Sequence, residues 1–226
     1  MAAGLLKEPT NIWGFLSLGW PYIGALSVVW LTHILARRRE IMAIKDKAKL
    51  EQEKTDREQA AELCFIGSQL IFILESFAVK CTDVAIDKGK KKENDDPRAQ
   101  VVIIPGTEIP EISLAGVEGN WRVLQAWDMY RIMELPGMLL DARIHIANSS
   151  EHLFYGADSA ELLRIRARYT TPLGLRASSL ARRLRQQCGF PESPLSEGPH
   201  SVTLVLLKER KRHVMQGLSE LTESAI

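Results

Sequence analysis

Residues 12–36 read IWGFLSLGWPYIGALSVVWLTHILA, a stretch with no ionised side chain before Arg37. At a rise of about 1.5 Å per residue, a helix of this length reaches about 37 Å, which exceeds the roughly 30 Å hydrocarbon core of a bilayer. A helix also satisfies its own backbone hydrogen bonds, as lipid requires. The stretch therefore predicts a single transmembrane helix, with the lipid bilayer as a partner of the protein.

The start of this span is left open by Pro21. Proline is tolerated in membrane helices, so the span can begin at residue 12. Proline also suits a first helical position, and residues 12–20 would then lie along the membrane interface. A cleaved signal peptide is disfavoured, because its apolar core would be only about 7–15 residues long and would end in small residues. We therefore expect an uncleaved signal anchor.

The charges on either side of the span predict its direction. The preceding tail, residues 1–11, has Lys7 as its basic side chain, whereas Arg37, Arg38 and Arg39 follow the span directly. Basic residues next to a span are retained in the cytoplasm. We expect a single-pass protein of the inner (plasma) membrane, with a short extracytoplasmic tail and residues 37–226 in the cytoplasm.

Composition places limits on the part beyond the span. The chain has 226 residues and a formal net charge of +1, so the molecule as a whole is not a polycation. The remainder is long enough to bury a core of its own. Its three cysteines are far apart and lack zinc-site spacing. They are expected to be free thiols in a reducing compartment, in agreement with a cytoplasmic location.

The segment directly after the span, residues 37–61, reads RRREIMAIKDKAKLEQEKTDREQAA. It contains no Gly or Pro and is rich in helix-forming residues, which predicts a charged, solvated helical stalk. Its apolar residues are too few for a convincing coiled coil. An oligomerising stalk is the alternative.

The remaining chain, residues 62–226, is predicted to be a helical bundle domain. Its clearest pattern lies at residues 63–85, where apolar residues including Leu70 and Phe77 recur at helical spacing. This pattern predicts a core helix, with a binding site for a partner helix as the alternative. Phe65 and Phe72 fall opposite the main stripe and predict a second, smaller contact.

The other segments follow from their turn residues and apolar spacing. The predicted fold class is all-α, with one transmembrane helix, a stalk and a cytoplasmic bundle of four or five helices. Residues 88–119 are expected to form an irregular crossing with at most one or two short strands. A helix should follow from Asn120, broken at Pro136 and buried on more than one side. A linker at 189–200 then leads to a final helix from 201, where Val202 to Leu207 would also suit a strand.

The best candidate for a binding surface is the predicted helix at residues 162–184. Pro172 leaves its continuity open. In sequence only Glu161 and Asp158 lie close to its arginines, so one face is expected to be basic, whereas Arg166 falls on the apolar side. The alternative is an ordinary solvent-exposed helix face that binds no ligand. The predicted anion-binding residues are Arg164, Arg168, Arg176, Arg182, Arg183 and Arg185.

Catalytic motifs are not found in this sequence. There is no nucleophile elbow, no H-E-x-x-H and no phosphate-binding Gly loop. His145, Glu151, His152 and Asp158 form one mixed cluster, but the intervening Asn-Ser-Ser run favours an exposed turn. We therefore predict no catalytic residue, no metal site and no cofactor, and we do not expect an enzyme.

These expectations favour a membrane-anchored interaction or regulatory module that binds a protein partner or associates with itself. One alternative is tethering of anionic lipid through the arginine-rich helix, which a nearby membrane would favour. Nucleic acid is less favoured as the ligand, because aromatic residues do not interleave with the arginines. A further alternative, a phage-type envelope or lysis component, would need its domain outside and is disfavoured by the flanking charge.

Overall fold

The computed structural model describes residues 12–92, 102–152, 159–196, 198 and 201–223. The chain divides into two compact units, Met1–Arg57 and Glu58–Ile226. The described elements are α1 (Ile12–Ala85), β1 (Lys90–Lys92), β2 (Val102–Ile104), α2 (Ala126–His152), α3 (Ser159–Cys188) and α4 (Val202–Glu223). In the described part the predicted all-α class is therefore confirmed, apart from one two-stranded sheet.

The described part of the first unit belongs entirely to α1. The predicted anchor and stalk are thus both helical, and the stalk side chains are exposed. Trp30 is 70% exposed and Leu31 is 57% exposed. Among the residues with described side chains, one helical segment, Trp30–Ala85, is long and apolar enough to cross a membrane. The core helix of a soluble bundle would meet the same criterion of length and composition. The membrane location of residues 12–36 stays a prediction.

In the second unit, the C-terminal part of α1 is the core helix that its spacing predicts. Leu70 is 0% exposed and Phe77 is 2% exposed. They pack in one cluster with apolar side chains of α2 and α3, among them Ile132 and Leu180. Phe65 and Phe72, on the opposite side of α1, are 51% and 76% exposed, so the second contact predicted for them stays a prediction.

Helix α3 packs against the other three helices. Its Arg185 binds Glu75 of α1 through two hydrogen bonds of 2.8 and 3.0 Å. Its Gly174 lies where a Cβ would come within 2.7 Å of the Cβ of Cys81 in α1 and 2.9 Å of a methyl carbon of Leu206 in α4. Because both contacts are tighter than real Cβ atoms allow, the glycine permits the close approach of α1 and α4 to α3.

Helix α2 differs from its prediction in its start and its continuity. It begins at Ala126, whereas Asn120 caps a short 3-10 turn by accepting a hydrogen bond from the Arg122 amide. It also continues through Pro136. A proline removes one helical hydrogen bond, but buried residues on both sides, Leu135 and Leu139, keep the two halves packed on the same core. The predicted break is therefore wrong.

Helix α3 is likewise continuous across Pro172, which resolves the question that the sequence leaves open. The buried hydroxyls just before the proline, those of Thr170 and Thr171, donate to carbonyls one turn earlier at 2.9 and 2.7 Å. Leu173, directly after it, is buried in the core. Packing on both sides of Pro172 thus compensates for the missing backbone hydrogen bond.

The connections contain little regular structure. Strands β1 and β2 pair antiparallel, with Lys90 opposite Ile104, and both lie within the predicted crossing at 88–119. The described part of the crossing, residues 88–92 and 102–119, is irregular apart from these two strands, as predicted. The linker contains one 3-10 turn, Pro194–Ser196. Beyond it α4 is helical from Val202, which decides between the helix and the strand that the sequence allows.

Candidate functional site

The arginines of α3 mostly lie beside acidic residues. Four of the acids belong to other segments of the chain, where proximity along the sequence does not reveal them. The premise that this face meets only Glu161 and Asp158 is therefore wrong. The pairs are Arg164 with Glu161 at 2.6 Å, Arg176 with Glu134 at 2.9 Å, Arg182 with Glu192 at 3.3 Å, Arg183 with Asp128 at 3.1 Å and Arg185 with Glu75 at 2.8 Å.

These ion pairs leave a smaller excess of positive charge than the sequence predicts. Of the six predicted arginines, Arg168 alone has no acidic partner within 4 Å among the described residues, and its side chain is exposed. Binding of an anionic surface at this face stays a prediction. The other predicted basic cluster, Arg37, Arg38 and Arg39, lies on α1 with exposed side chains.

Arg166 is the arginine that the sequence places on the apolar side of α3, and it is the buried one. Its residue is 5% exposed, and its guanidinium donates to the backbone carbonyl of Thr107. A second guanidinium nitrogen lies 3.7 Å from a carboxylate oxygen of Asp87. Burial lowers the pKa of Arg166, and the charge of Asp87 opposes that effect. Arg166 thus links α3 to Thr107 and Asp87 inside the domain, and it is not part of a binding face.

The carboxylate of Asp87 joins three parts of the domain. It accepts hydrogen bonds from the Gly89 amide at 2.8 Å, the Gly106 amide at 2.8 Å, and the amide and hydroxyl of Thr107 at 3.0 and 2.9 Å. Burial by itself would raise the pKa of Asp87, but these hydrogen bonds outweigh it and hold the pKa below its usual value. The group ties the end of α1 to the loop after β2 and to α3.

The outer face of α2 carries an uncovered apolar stripe, which we call the outer seam. Helix α2 buries one side only, through Ile132, Leu135, Leu139, Ala142 and Ile146. The prediction that it is buried on more than one side is therefore wrong within the described chain. The exposed residues of the seam are Ala126, Tyr130, Met133, Gly137, Leu140, Ile144 and Ala147.

The spacing of the outer seam is regular. Its members alternate steps of four and three residues from Ala126 to Ala147, which averages to the 3.5-residue repeat of a coiled-coil contact. Tyr130 and Met133 are 59% and 60% exposed, and Leu140 and Ile144 are 60% and 50% exposed. A row of large apolar side chains with this repeat is typical of a surface that packs against another helix. The sequence contains this repeat, but the repeat becomes apparent only when the buried residues of α2 are known.

Charged groups flank the seam on one side. Glu134 accepts hydrogen bonds from Arg131 at 3.2 Å, from Arg176 at 2.9 Å and from the Tyr130 hydroxyl at 3.2 Å. Desolvation by itself would raise the pKa of Glu134, but the hydrogen bonds from Arg131 and Tyr130 and the charges of Arg176 and Arg131 together outweigh it and lower the pKa. Two arginines share one carboxylate, so this cluster carries an excess positive charge.

Two further features of the flank are aromatic. Trp127 is 50% exposed, and the guanidinium carbons of Arg131 and Arg183 lie 5.2 and 4.4 Å from its ring centre. Such contacts favour fixed side-chain positions. Further along α2, the ring of His145 stacks on that of Tyr169 in α3 at 5.2 Å.

Of the mixed cluster predicted around His145, the structure describes only the side chain of His145. The side chains of Glu151 and His152, and Asp158, lie outside the described residues. In the part of the chain that the structure covers, no three His, Cys, Asp or Glu side chains are grouped to hold a metal ion.

A cavity of about 650 Å³ lies between α3, α4 and the linker. Its walls include Leu204 and Leu207 together with two arginines of α3. Both arginines, Arg182 and Arg185, are already paired with glutamates. Small-molecule sites combine an apolar cavity with a few polar groups that converge on the ligand. Since its charged groups bind one another, this cavity is a weaker candidate than the outer seam.

No family model, curated protein or solved structure matches this chain.

Proposed function

We propose that this protein is a membrane-anchored helical interaction module that associates with a second copy of itself through the outer seam of α2. The observation that carries the proposal is the row of four large apolar side chains, each at least half exposed, at a 3.5-residue repeat. Contiguous exposed apolar surface on a protein typically marks an interaction site. Covering these side chains would remove them from water, which stabilises the association.

A second copy is favoured as the partner because the seam is nearly palindromic about Gly137. An antiparallel pair of α2 helices centred there places Tyr130 opposite the partner's Ile144 and Met133 opposite the partner's Leu140. The small residues Ala126 and Ala147 meet at both ends. Apart from the adjoining backbone of α2, no atom of the described residues lies within 4 Å of the position that a Cβ of Gly137 would take, so the two backbones can approach closely at the centre. A two-fold interface needs such self-complementarity.

The flanking charges suit the same arrangement. The cluster of Arg131, Glu134 and Arg176 has an excess positive charge. In the antiparallel pair, residue 134 lies close to residue 141 of the other copy, so the cluster faces the partner's Asp141. Asp141 is exposed, and its carboxylate lies 3.6 Å from His145. Complementary charges at the edge of an interface fix register and speed association.

The predicted anchor supports this function. A transmembrane helix over residues 12–36 would confine all copies to one membrane and so raise their effective concentration. Trp30 and Leu31, near its end, are mostly exposed, as expected for side chains that lipid would cover. The alternative of anionic-lipid tethering has weaker support, because most of the arginines on α3 are ion-paired.

The first test changes the seam. The full-length protein in detergent, with Met133 and Leu140 both changed to Glu, should be monomeric at concentrations where the wild type is dimeric. Two charges facing the partner's apolar side chains should weaken association by tenfold or more, since central interface residues commonly contribute about 1–2 kcal/mol each. Analytical ultracentrifugation measures the change, and an unchanged circular dichroism spectrum shows that the fold is intact.

Controls for this test come from other exposed positions. Leu204→Glu on α4, at a site 44% exposed, should leave the dimer unaffected. Gly137→Cys should cross-link to its copy with a short bifunctional reagent, whereas Asn148→Cys should not, because only residue 137 lies at the centre of an antiparallel pair. A monomeric wild type at every concentration, or efficient cross-linking at position 148, would contradict the proposed interface.

A separate test addresses the anchor and its direction. A fluorescent protein fused after Ile226 should fold and emit light, and alkaline phosphatase fused at the same place should be inactive, if residues 37–226 lie in the cytoplasm. The basic residues Arg37, Arg38 and Arg39 give this direction. The opposite pair of results would place the domain outside the cytoplasm, and recovery of the full chain in the soluble fraction would argue against an anchor.

A further inference from the structure

Two cysteines that are 124 positions apart meet between α1 and α3. The thiol of Cys64 donates a hydrogen bond to the backbone oxygen of Cys188 at 3.6 Å. In return, the thiol of Cys188 donates to the backbone oxygen of Leu63 at 3.7 Å. The sulfur of Cys64 therefore contacts the backbone of Cys188, and the sulfur of Cys188 contacts the backbone of the residue directly before Cys64. Both residues are free thiols and only partly buried.

The turn of α1 that follows Cys64 makes room for the second sulfur. A Cβ on Gly67 would lie 2.7 Å from the sulfur of Cys188, closer than such atoms approach. Glycine at this position in a helix costs about 1 kcal/mol relative to alanine. The missing side chain allows the Cys188 thiol to lie directly on α1.

The end of α3 holds Cys188 in position. Cys188 is the last residue of the helix, and Gly189 follows with φ of +67°. The amide of Phe190 then donates to the carbonyl of Arg185 at 2.9 Å, which closes the helix end. Arg185 itself is bound to Glu75 of α1. The two cysteines are thus presented by helix segments that other contacts already hold together.

We propose that Cys64 and Cys188 are a modification site that closes reversibly into an intramolecular disulfide. With a peroxide as the oxidant, the sulfur of Cys64 attacks one peroxide oxygen, and the O–O bond breaks to give a sulfenic acid and one water. The sulfur of Cys188 then attacks that of Cys64, and a second water leaves as the S–S bond forms. Together the two thiols lose two electrons and two protons, and the peroxide is reduced to two waters. A dithiol reductant reverses the step by thiol–disulfide exchange.

The environment of Cys188 supports this order of steps. Burial and the nearby Cys64 raise the pKa of the Cys188 thiol to about 11. Since the thiolate is the nucleophile, Cys188 is slow to react with an oxidant in solution and acts second. The third cysteine, Cys81, is 0% exposed, and burial raises the pKa of its thiol, so it takes no part.

The test uses the full-length protein, purified in detergent with a reductant that is then removed. After treatment with hydrogen peroxide, the protein is unfolded, alkylated and weighed by mass spectrometry. One alkyl group should be added in place of three, and digestion should yield a peptide pair linked through Cys64 and Cys188. The oxidised protein should also unfold at a higher temperature than the reduced protein, because the bridge closes a long loop of the unfolded chain.

Variants separate the pair from the third thiol. Cys81→Ser should still form the bridge, and Cys64→Ser or Cys188→Ser should not form it. Addition of dithiothreitol to the oxidised protein should restore all three alkylation sites. Three alkyl groups on the oxidised wild type, a bridge that involves Cys81, or a bridge between two chains would each overturn the proposal. None of these results depends on association through the outer seam.

Discussion

Changing Leu70 to Asp should leave the domain unable to fold. Leu70 is 0% exposed and lies within the cluster formed by α1, α2 and α3. Loss of such a leucine typically costs about 2–5 kcal/mol, and burial of a carboxylate without a partner adds several kcal/mol. A total stability of about 5–15 kcal/mol is normal for a domain. The variant should therefore lack a cooperative unfolding transition and be cleaved quickly by a protease.

The matched control lies on the same helix, two residues further on. Phe72 is 76% exposed, so Phe72→Asp should keep the melting curve of the wild type. Leu70→Ala should fall between them, with a lower midpoint but a cooperative transition. Tryptophan fluorescence during heating measures all three, because Trp121 packs against the core. If Leu70→Asp melted like the wild type, the apolar stripe of α1 would face solvent and serve a partner.

The success at Leu70 shows what the sequence can predict about this fold. Apolar residues at helical spacing identify the buried side of α1, but the outer seam of α2 is apolar at an equally regular spacing and is exposed, so spacing alone does not decide burial. The effect of a proline on helix continuity is harder to predict, since the sequence indicates a break at Pro136 and leaves continuity across Pro172 open. Pro136 and Pro172 each remove one backbone hydrogen bond, but α2 and α3 continue through them because residues on both sides are buried in one core. That compensation depends on tertiary packing, which local sequence does not contain.

The charged face of α3 shows a different limit. Sequence distance suggests two acids near its arginines, but the structure adds acids from α1, α2 and the linker, such as Glu75, Glu134 and Glu192. Long-range pairs of this kind arise from the tertiary packing of distant segments, and a single sequence does not reveal them. The position of Arg166 on the apolar side of α3 was the available clue that one arginine is buried. No pattern in the sequence indicates that Asp87 is the partner of Arg166.

Changing Asp87 to Ala should destabilise the domain by about 3–5 kcal/mol, which is the usual cost of removing one member of a buried ion pair. The change removes acceptors for Gly89, Gly106 and Thr107. It also leaves the guanidinium of Arg166 buried without its carboxylate. Urea unfolding at neutral pH measures the loss. Asp83→Ala, four residues earlier at an exposed position, should change the free energy of unfolding by less than about 0.5 kcal/mol.

The double variant Asp87→Ala with Arg166→Met tests whether the two groups act as a pair. Removing both charges leaves no buried guanidinium without a partner, so the double variant should be more stable than Asp87→Ala alone. If the two losses simply added, the ion pair would have no energetic coupling. The hydrogen bonds from the Gly89 and Thr107 amides would then account for the whole effect.

The pH dependence of stability gives an independent check on Asp87. Its pKa in the folded protein is lowered, from an unfolded value of about 3.9. A lowered folded pKa stabilises the protein above the unfolded value, and that contribution is lost as the pH falls through the folded pKa. The difference in unfolding free energy between wild type and Asp87→Ala should therefore be constant above about pH 5 and shrink below about pH 4. A difference that stayed constant down to pH 2 would mean that the carboxylate charge contributes nothing.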